Sequence, residues 1–319
     1  MTEKTRPKKR TTVRASSPAL HATRMGLRLL SPRAPTLAAR WAERLFLTAR
    51  RHERPSWETA TLTRAKLDRI AHEGKWLPTW TWTPEGQGTG LDAAPTIVLV
   101  HGWEGRGSQL AAFVPALLER GYRVATFDAP GHGDCPLPRA SLVDHARALC
   151  SLGRALGPVH GVVGHSVGAA ATLLATRFGF EAGRLALIAP PTTPARFAAE
   201  FARILGLQPA VEDAMIARLE ARYDLRFEEL DVRLDAARLH APVLVVHDRN
   251  DPVVHFASGK AIADVAPRGS LFEVSGVGHR AILRAPEVVE KVVRFIDDRS
   301  APSFARTLDG ELFMRDTRW

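Results

Sequence analysis

Four short runs, "TIVLV" at 96–100, "YRVATF" at 122–127, "GVVGH" at 161–165 and "PVLVV" at 242–246, are apolar and β-branched, and each is followed at once by a small or polar residue. Strands with no polar alternation are buried on both faces, as in a parallel sheet covered by helices. The segments between them, "SQLAAFVPALLERG", "SLVDHARALCSLGRAL" and "AAATLLATRFG", carry helical periods, so the chain reads as a βαβ series. The expected class is therefore α/β, with a mostly parallel central sheet flanked by helices.

The series pauses between Pro190 and His240, where the sequence is helical, charged and lacks a strong buried strand. This stretch is expected to form a small helical cap inserted above the sheet. The αβ pattern resumes at Val243, and "EVVEKVVRFI" supplies a last helix. Upstream, the alternation of Trp76, Trp80 and Trp82 before a glycine-rich turn reads as an early edge strand and a loop, its tryptophans packing rather than binding. The expected organisation is an N-terminal extension over 1–70, a core over 71–190 and 240–297, a cap over 191–239 and a C-terminal tail over 298–319.

The net charge of +10 resembles a nucleic-acid signal until it is mapped. Residues 1–54 hold 14 Lys or Arg against 3 acids, whereas residues 55–319 hold 30 against 31. A nearly neutral body has no basic face for tracking a nucleic acid, so any such contact falls to the extension. Residues 1–18 are polar, basic and interrupted by proline, and read as disordered. Over Pro35–Arg51, Leu37, Trp41, Leu45 and Thr48 recur at helical spacing away from Arg40, Arg44 and Arg51, an amphipathic basic helix. Such a helix either meets an anionic surface weakly or packs on the body with its arginines in solvent. No apolar h-region of a secretory signal follows the basic start, and no run has the length of a transmembrane helix. With only Cys135 and Cys150, a disulfide framework or a zinc site is not expected, which favours a reducing, cytoplasmic setting.

In an open parallel sheet, function gathers beyond the carboxyl ends of the strands. The polar residues found there are His101-Gly102-Trp103, Asp128 with His132, Ser166, Asp251 and, later, His279 in "SGVGHRAIL". Ser166 stands between Gly164 and Gly168, at a strand–turn–helix junction that lifts a side chain clear of the backbone.

These residues resemble the α/β-hydrolase family of esterases, lipases, peptidases and related enzymes. "GHSVG" is similar to its G-x-S-x-G nucleophile elbow, "HGW" to its oxyanion loop, "DAPGHG" to its D-x-P-G-H-G turn, "HDRNDPVV" to its acid loop and "GVGHR" to its histidine loop. The order Ser, Asp, His is the one expected for that fold, and the resemblance covers roughly residues 76–297. It implies Ser166 as nucleophile, His279 as base, Asp251 as the acid that orients it, and the backbone N–H groups of Trp103 and Val167 as the oxyanion hole. Asp248 competes for the acid role; Asp251 is preferred because it falls three residues past the place where the family commonly has glycine, here Asp248. Two departures concern loop geometry only: Cys135 where serine is common, and His255 where the acid loop often has proline.

A serine hydroxyl is a poor nucleophile near pH 7 unless a base takes its proton, and an imidazole both accepts and returns that proton. The glycines at 164 and 168 fit backbones that approach closely around a strained nucleophile. His165, His101 and His132 read as bracing residues, and Glu104 and Arg106 as loop charges that are either solvated or turned to a polar substrate. The implied activity is hydrolysis of a carboxylic ester or similar acyl substrate through an acyl-enzyme, with no metal or organic cofactor and a small-molecule acyl substrate as partner. Specificity would come from the cap, whose Phe197, Phe201, Ile204, Leu205, Met215 and Leu219 either line an acyl pocket or form the cap's own core. The same centre serves a thioesterase, a carbon–carbon bond hydrolase, a cofactor-free perhydrolase or an acyltransferase; epoxide hydrolases and haloalkane dehalogenases are disfavoured by serine at the nucleophile position. A non-catalytic relative that binds a partner through its basic tail is the rival from another class.

Overall fold

The computed structural model describes residues 18–86 and 94–298. The polar basic start, most of the glycine-rich turn and the C-terminal tail lie outside the described residues. Two compact units divide the chain: Arg50–Thr192 with Val232 onward, and the segment up to Ala49 with Thr193–Asp231.

The larger unit is built on strands β1 (Lys66–His72), β2 (Lys75–Trp82), β3 (Thr96–Val100), β4 (Arg123–Phe127), β5 (Val159–His165), β6 (Leu185–Ile188), β7 (Val243–Asp248) and β8 (Gly269–Val274). The helices, in chain order, are α1 (Pro18–Leu30), α2 (Pro35–Phe46), α3 (Ser56–Leu62), α4 (Val114–Glu119), α5 (Leu142–Leu156), α6 (Val167–Arg177), α7 (Ala195–Leu205), α8 (Pro209–Tyr223), α9 (Arg233–Ala236), α10 (Phe256–Val265) and α11 (Pro286–Asp297). Strand order across the sheet is β1-β2-β4-β3-β5-β6-β7-β8. From β4 to β8 all pairs are parallel, while β2 runs antiparallel to both β1 and β4. The chain moves outward from β3 to β4 in one direction and from β5 to β8 in the other, so a topological switch point lies between β3 and β5. Ligand crevices form at such points, because the connections on either side leave in opposite directions.

The unalternating runs behave as expected: every residue of β3 and of β7 is buried. Ile97, Leu99, Val124, Val163 and Val246 share one core cluster with Phe113, Leu117, Val288, Val292 and Ile296 of the segments beside the sheet. Each such side chain taken fully from water contributes about 1.5–3 kcal/mol, so the sheet's middle is the stable platform for the loops at its ends. Helix α5 starts where Ser141 accepts a hydrogen bond from the Asp144 N–H at 3.0 Å, a side-chain N-cap.

Several expectations change. The tryptophan strand β2 is not the edge; β1 is, its register running Lys66↔Thr81 to His72↔Lys75. The expected boundary at residue 70 therefore falls inside a strand of the main sheet. The strands β6 and β8, at four and six residues, extend the series beyond what the apolar runs disclosed. The predicted helix over Pro35–Arg51 ends at Phe46, and its buried face is Ala38, Ala39, Ala42 and Glu43 rather than Leu37, which is 52% exposed.

The smaller unit joins the N-terminal helices to the inserted ones. Leu27 of α1 and Ala38 and Ala39 of α2 cluster with Leu205 of α7 and Val211 of α8. The alanines lack bulk, so α2 and α8 approach closely. Phe46 meets Phe201 edge to face at 5.2 Å, and Arg24 Nε donates to the Ile204 carbonyl at 2.5 Å. Leu205 and Phe201 thus belong to an interior that includes the N-terminal extension, while Met215 and Leu219 of α8 are buried as well. The insertion opens and closes at one point: Val232 N–H donates to the Thr192 carbonyl at 2.9 Å, and α9, within the expected 191–239 cap, belongs to the larger unit. Among the described residues no helix is long and apolar enough to cross a membrane.

Candidate active site

Ser166 stands between β5 and α6 with φ of 54° and ψ of −124°, a backbone conformation costly for any residue with a Cβ. It persists because the surroundings over-determine it: Ser166 N–H donates to the Ile188 carbonyl at 2.8 Å, and the Ser166 carbonyl accepts from Ala169 and Ala170. The flanking glycines follow from close packing. A Cβ on Gly168 would meet the His101 carbonyl oxygen at 2.2 Å, and one on Gly164 would meet the Ala169 Cα at 2.8 Å.

Three sequence-predicted residues from distant parts of the chain converge here. Ser166 Oγ lies 3.0 Å from His279 Nε2, and His279 Nδ1 lies 2.7 Å from Asp251 Oδ2. All three residues are buried, at 6%, 8% and 8% exposure. Asp251 Oδ1 accepts from the N–H groups of Val253 and Val254, at 2.8 and 3.0 Å. Burial alone would raise the Asp251 pKa, but the His279 hydrogen bond and charge and those two N–H groups more than offset it and hold the carboxylate below its ordinary range. With Asp251 charged, Nδ1 carries the imidazole proton and Nε2 is left to accept from the serine hydroxyl.

Asp248, the competing carboxylate, does a different job. Its oxygens accept from the backbone N–H groups of Asn250, Gly276 and Gly278, at 2.8, 3.0 and 2.5 Å, tying the acid loop to the loop that carries His279.

The loop after β3 passes close to the serine: a Cβ on Gly102 would lie 2.9 Å from Ser166 Cβ. Trp103 follows it, and Val167 opens α6, so both candidate oxyanion donors are chain neighbours of residues at the point of contact. His101 braces this loop through Nδ1 to the Gly102 carbonyl at 2.8 Å, while its Nε2 accepts from the Ala129 N–H at 3.0 Å. His132 and His145 complete a buried trio with His101, ring centroids 4.9–5.1 Å apart, and Trp103 packs edge-on against His132 at 5.3 Å. Burial, followed by mutual repulsion of charge, keeps His101 and His145 far below the usual histidine range, and burial takes His132 to about 4. The trio is neutral near pH 7.

Of the two expected loop charges, Arg106 departs from the expectation and Glu104 keeps to it, half-buried in its loop. Arg106 is 5% exposed and pairs with Glu58, so it neither meets solvent nor turns to a substrate. Glu104, with φ of 55°, lies within 3.4 and 3.6 Å of Arg50 and His52. The basic N-terminal stretch is likewise used inside the molecule in part: Arg51 donates to the Cys135 carbonyl, and Arg54 pairs with Asp128 and Asp134. His247, His145 and Glu58 were not among the sequence candidates. His247 bonds the Val254 carbonyl 7 residues on, His145 packs on His101 44 residues upstream, and Glu58 pairs with Arg106 48 residues downstream, so no local motif announces them. Cys135 and Cys150 are free and buried.

The profile of a family described as "Alpha/beta hydrolase family" matches residues 97–292. A pimeloyl-[acyl-carrier protein] methyl ester esterase of Methylococcus capsulatus is 43% identical over 84 residues, which is 26% of this chain. The match spans about a third, 32%, of the length of that curated relative. Among solved structures, an esterase of Pyrococcus furiosus aligns with a TM-score of 0.59 at 18% identity, over 78% of this chain and 98% of its own. A bromoperoxidase from Bacillus anthracis aligns with a TM-score of 0.55 at 20% identity, over 73% of this chain and 100% of its own. At these identities the likeness to the solved structures is one of fold.

Proposed function

Because this chain belongs to the alpha/beta hydrolase family, we propose that it is a serine hydrolase that cleaves a carboxylic ester or related acyl substrate through an acyl-enzyme on Ser166. The observation that carries this is the unbroken proton chain from Ser166 Oγ through His279 to Asp251, at 3.0 and 2.7 Å. As Oγ attacks the acyl carbon, its proton passes to His279 Nε2, and Asp251 stabilises the imidazolium that results. The carbonyl oxygen becomes an oxyanion and accepts from the N–H groups of Trp103 and Val167; losing one such donor typically costs about a hundredfold or more in rate. The positive end of α6 faces the same charge. The C–O bond to the leaving group then breaks, and His279 returns the proton to that oxygen, releasing an alcohol. Water attacks the acyl-enzyme with His279 again as base, releasing the carboxylic acid and restoring Ser166.

The ester class is supported by the names of the relatives, a methyl ester esterase and an esterase. The test is labelling with a fluorophosphonate probe beside Ser166→Ala and His279→Ala variants, followed by p-nitrophenyl esters of increasing chain length. Labelling and turnover are expected in the wild type and in neither variant. Labelling that survives Ser166→Ala would remove Ser166 as the nucleophile.

A further inference from the structure

Residues 50–55, which lead into α3, have no regular structure, yet the stretch 50–58 closes on the loop after β3, which passes beside Ser166, and on the loop after β4. The central contact is a buried fork: Arg106 Nε and Nη2 donate to Glu58 Oε2 and Oε1 at 2.5 and 2.9 Å. Glu58 is 2% exposed, and Ser108 Oγ donates to its Oε2 at 2.5 Å. Next to the fork, Gly107 N–H donates to Asp128 Oδ1 at 2.8 Å, and Arg54 Nη2 holds Asp128 Oδ2 at 2.9 Å. The pairs from Arg50 and His52 to Glu104 are long, and the two basic side chains are 83% and 49% exposed, so they contribute little. The fork is different in kind, because two parallel N–H···O bonds fix orientation as well as distance, and neither charge is tolerated there alone.

What the fork holds is the loop of Trp103. Arg106 lies three residues beyond it, and between them Gly105 N–H closes a turn onto the Gly102 carbonyl at 3.0 Å, with Glu104 at φ of 55°. A turn held this way has its N–H directions set from its far end. We infer that segment 50–58, acting through Glu58, is a positioning element for the oxyanion loop: it aims the Trp103 N–H at the developing charge, an assignment that rests on the serine-hydrolase reading above. A donor displaced by about 1 Å costs on the order of a hundredfold in rate while leaving substrate binding little changed.

The test compares Glu58→Gln, Ser108→Ala and the double variant Glu58→Gln/Arg106→Met, which leaves no charge stranded and so keeps the fold. For each, kcat and KM on a p-nitrophenyl ester are expressed per site titrated with fluorophosphonate, beside the affinity of an arylboronic acid, a tetrahedral transition-state mimic, and of the carboxylate product. In the two variants at position 58, kcat per titrated site falls about ten- to a hundredfold, KM stays within about twofold, and boronate affinity falls with kcat while product affinity does not. Ser108→Ala gives a loss of about threefold. A double variant whose kcat per titrated site is within twofold of wild type, or whose boronate and product affinities fall together, overturns the inference. Wild-type protein that is not labelled at Ser166 overturns the hydrolase reading itself, a result visible before any variant is made.

Discussion

His165 Nε2 donates to the main-chain carbonyl of His279 at 2.9 Å, and the two imidazole rings lie 4.8 Å apart. The residue before the nucleophile thus holds the backbone of the base. Burial, and after it the neighbouring His279, push the His165 pKa down to about 3, so it stays neutral and its proton stays on Nε2. Replacing it with phenylalanine keeps the ring contact and removes the donor. We expect His165→Phe to lower kcat about tenfold, with KM little changed and the inflections of the pH–rate profile unmoved. A titration between pH 5 and 8 that vanishes in the variant would place His165 in the proton chain instead.

The buried histidines also predict how stability depends on pH. His132 and His165 are depressed to about 4 and 3, and His101 and His145 lie well below their ordinary value, chiefly through burial. Unfolded, each takes up a proton near pH 6.5; folded, each resists it. The unfolded state therefore binds more protons below pH 6.5, and stability falls as pH falls through that window, by about 1.4 kcal/mol per pH unit for each such group. Above pH 7 this contribution is fully present. Urea midpoints measured from pH 8 to pH 4.5 should be flat at first and then drop steeply. A His132→Gln variant should drop less steeply, and a wild-type midpoint unchanged between pH 7 and 5 would contradict the assignment.

Asp248 and Asp251 should fail differently when each becomes asparagine. Asp251→Asn keeps the shape but presents an amide to His279 Nδ1, which favours the wrong tautomer and typically costs about 10⁴ in kcat with the fold intact. Asp248→Asn loses charge-assisted acceptors for the N–H groups of Asn250, Gly276 and Gly278. Its first effect should be thermal, a loss of about 1–3 kcal/mol, with activity reduced only through displacement of His279. Thermal melts and kcat on the same samples separate the two. Equal losses of activity at equal stability would mean that both carboxylates serve the base.

Much of this centre was legible because its signals are local. An unalternating strand, a serine between glycines and a carboxylate or histidine at a strand end each occupy a few consecutive residues, and the sheet brings them together by topology alone. Where the signal was not local, the reading stopped. "LALI" of β6 is too short to stand out, and "KLDRIAH" of β1 is an alternating edge strand that resembles a surface segment. Of the large apolar residues of α2, Trp41 and Leu45 do pack inward and Leu37 does not, while the fully buried positions are alanines, whose small side chains carry little signal in the sequence. From sequence Arg106 is a loop charge, either solvated or turned to a substrate, because its partner Glu58 is 48 residues upstream. Pairing of that sort depends on the assembled fold, and no window of sequence contains it.

The smaller unit makes a prediction of its own. Glu43 of α2 is buried and accepts from Arg218 Nε at 2.7 Å and from Arg222 Nε and Nη2 at 2.8 and 2.5 Å, so one carboxylate from the N-terminal extension bridges two guanidiniums of the inserted α8. Burial alone would raise its pKa, but the hydrogen bonds and charges of Arg222 and Arg218 outweigh this and hold it below the ordinary value. Its contribution is therefore in place above about pH 4.5 and is lost as pH falls through the lowered value. Glu43→Gln removes the charge but little volume and strands two arginines that are each about a third exposed, 35% and 32%. A loss of about 1–3 kcal/mol is expected, below that of a fully buried pair because water still reaches the guanidiniums. The measurement is limited trypsin digestion near pH 7, with cleavage after Arg218 and Arg222 followed by mass spectrometry. Cleavage there should be at least several-fold faster in Glu43→Gln than in the wild type. Glu200→Gln, which breaks the exposed Arg203–Glu200 pair of α7, should leave the rate unchanged, since that pair joins side chains 71% and 51% exposed. Cleavage of α8 at the wild-type rate in Glu43→Gln would show that the N-terminal helices do not stabilise the inserted ones through this contact.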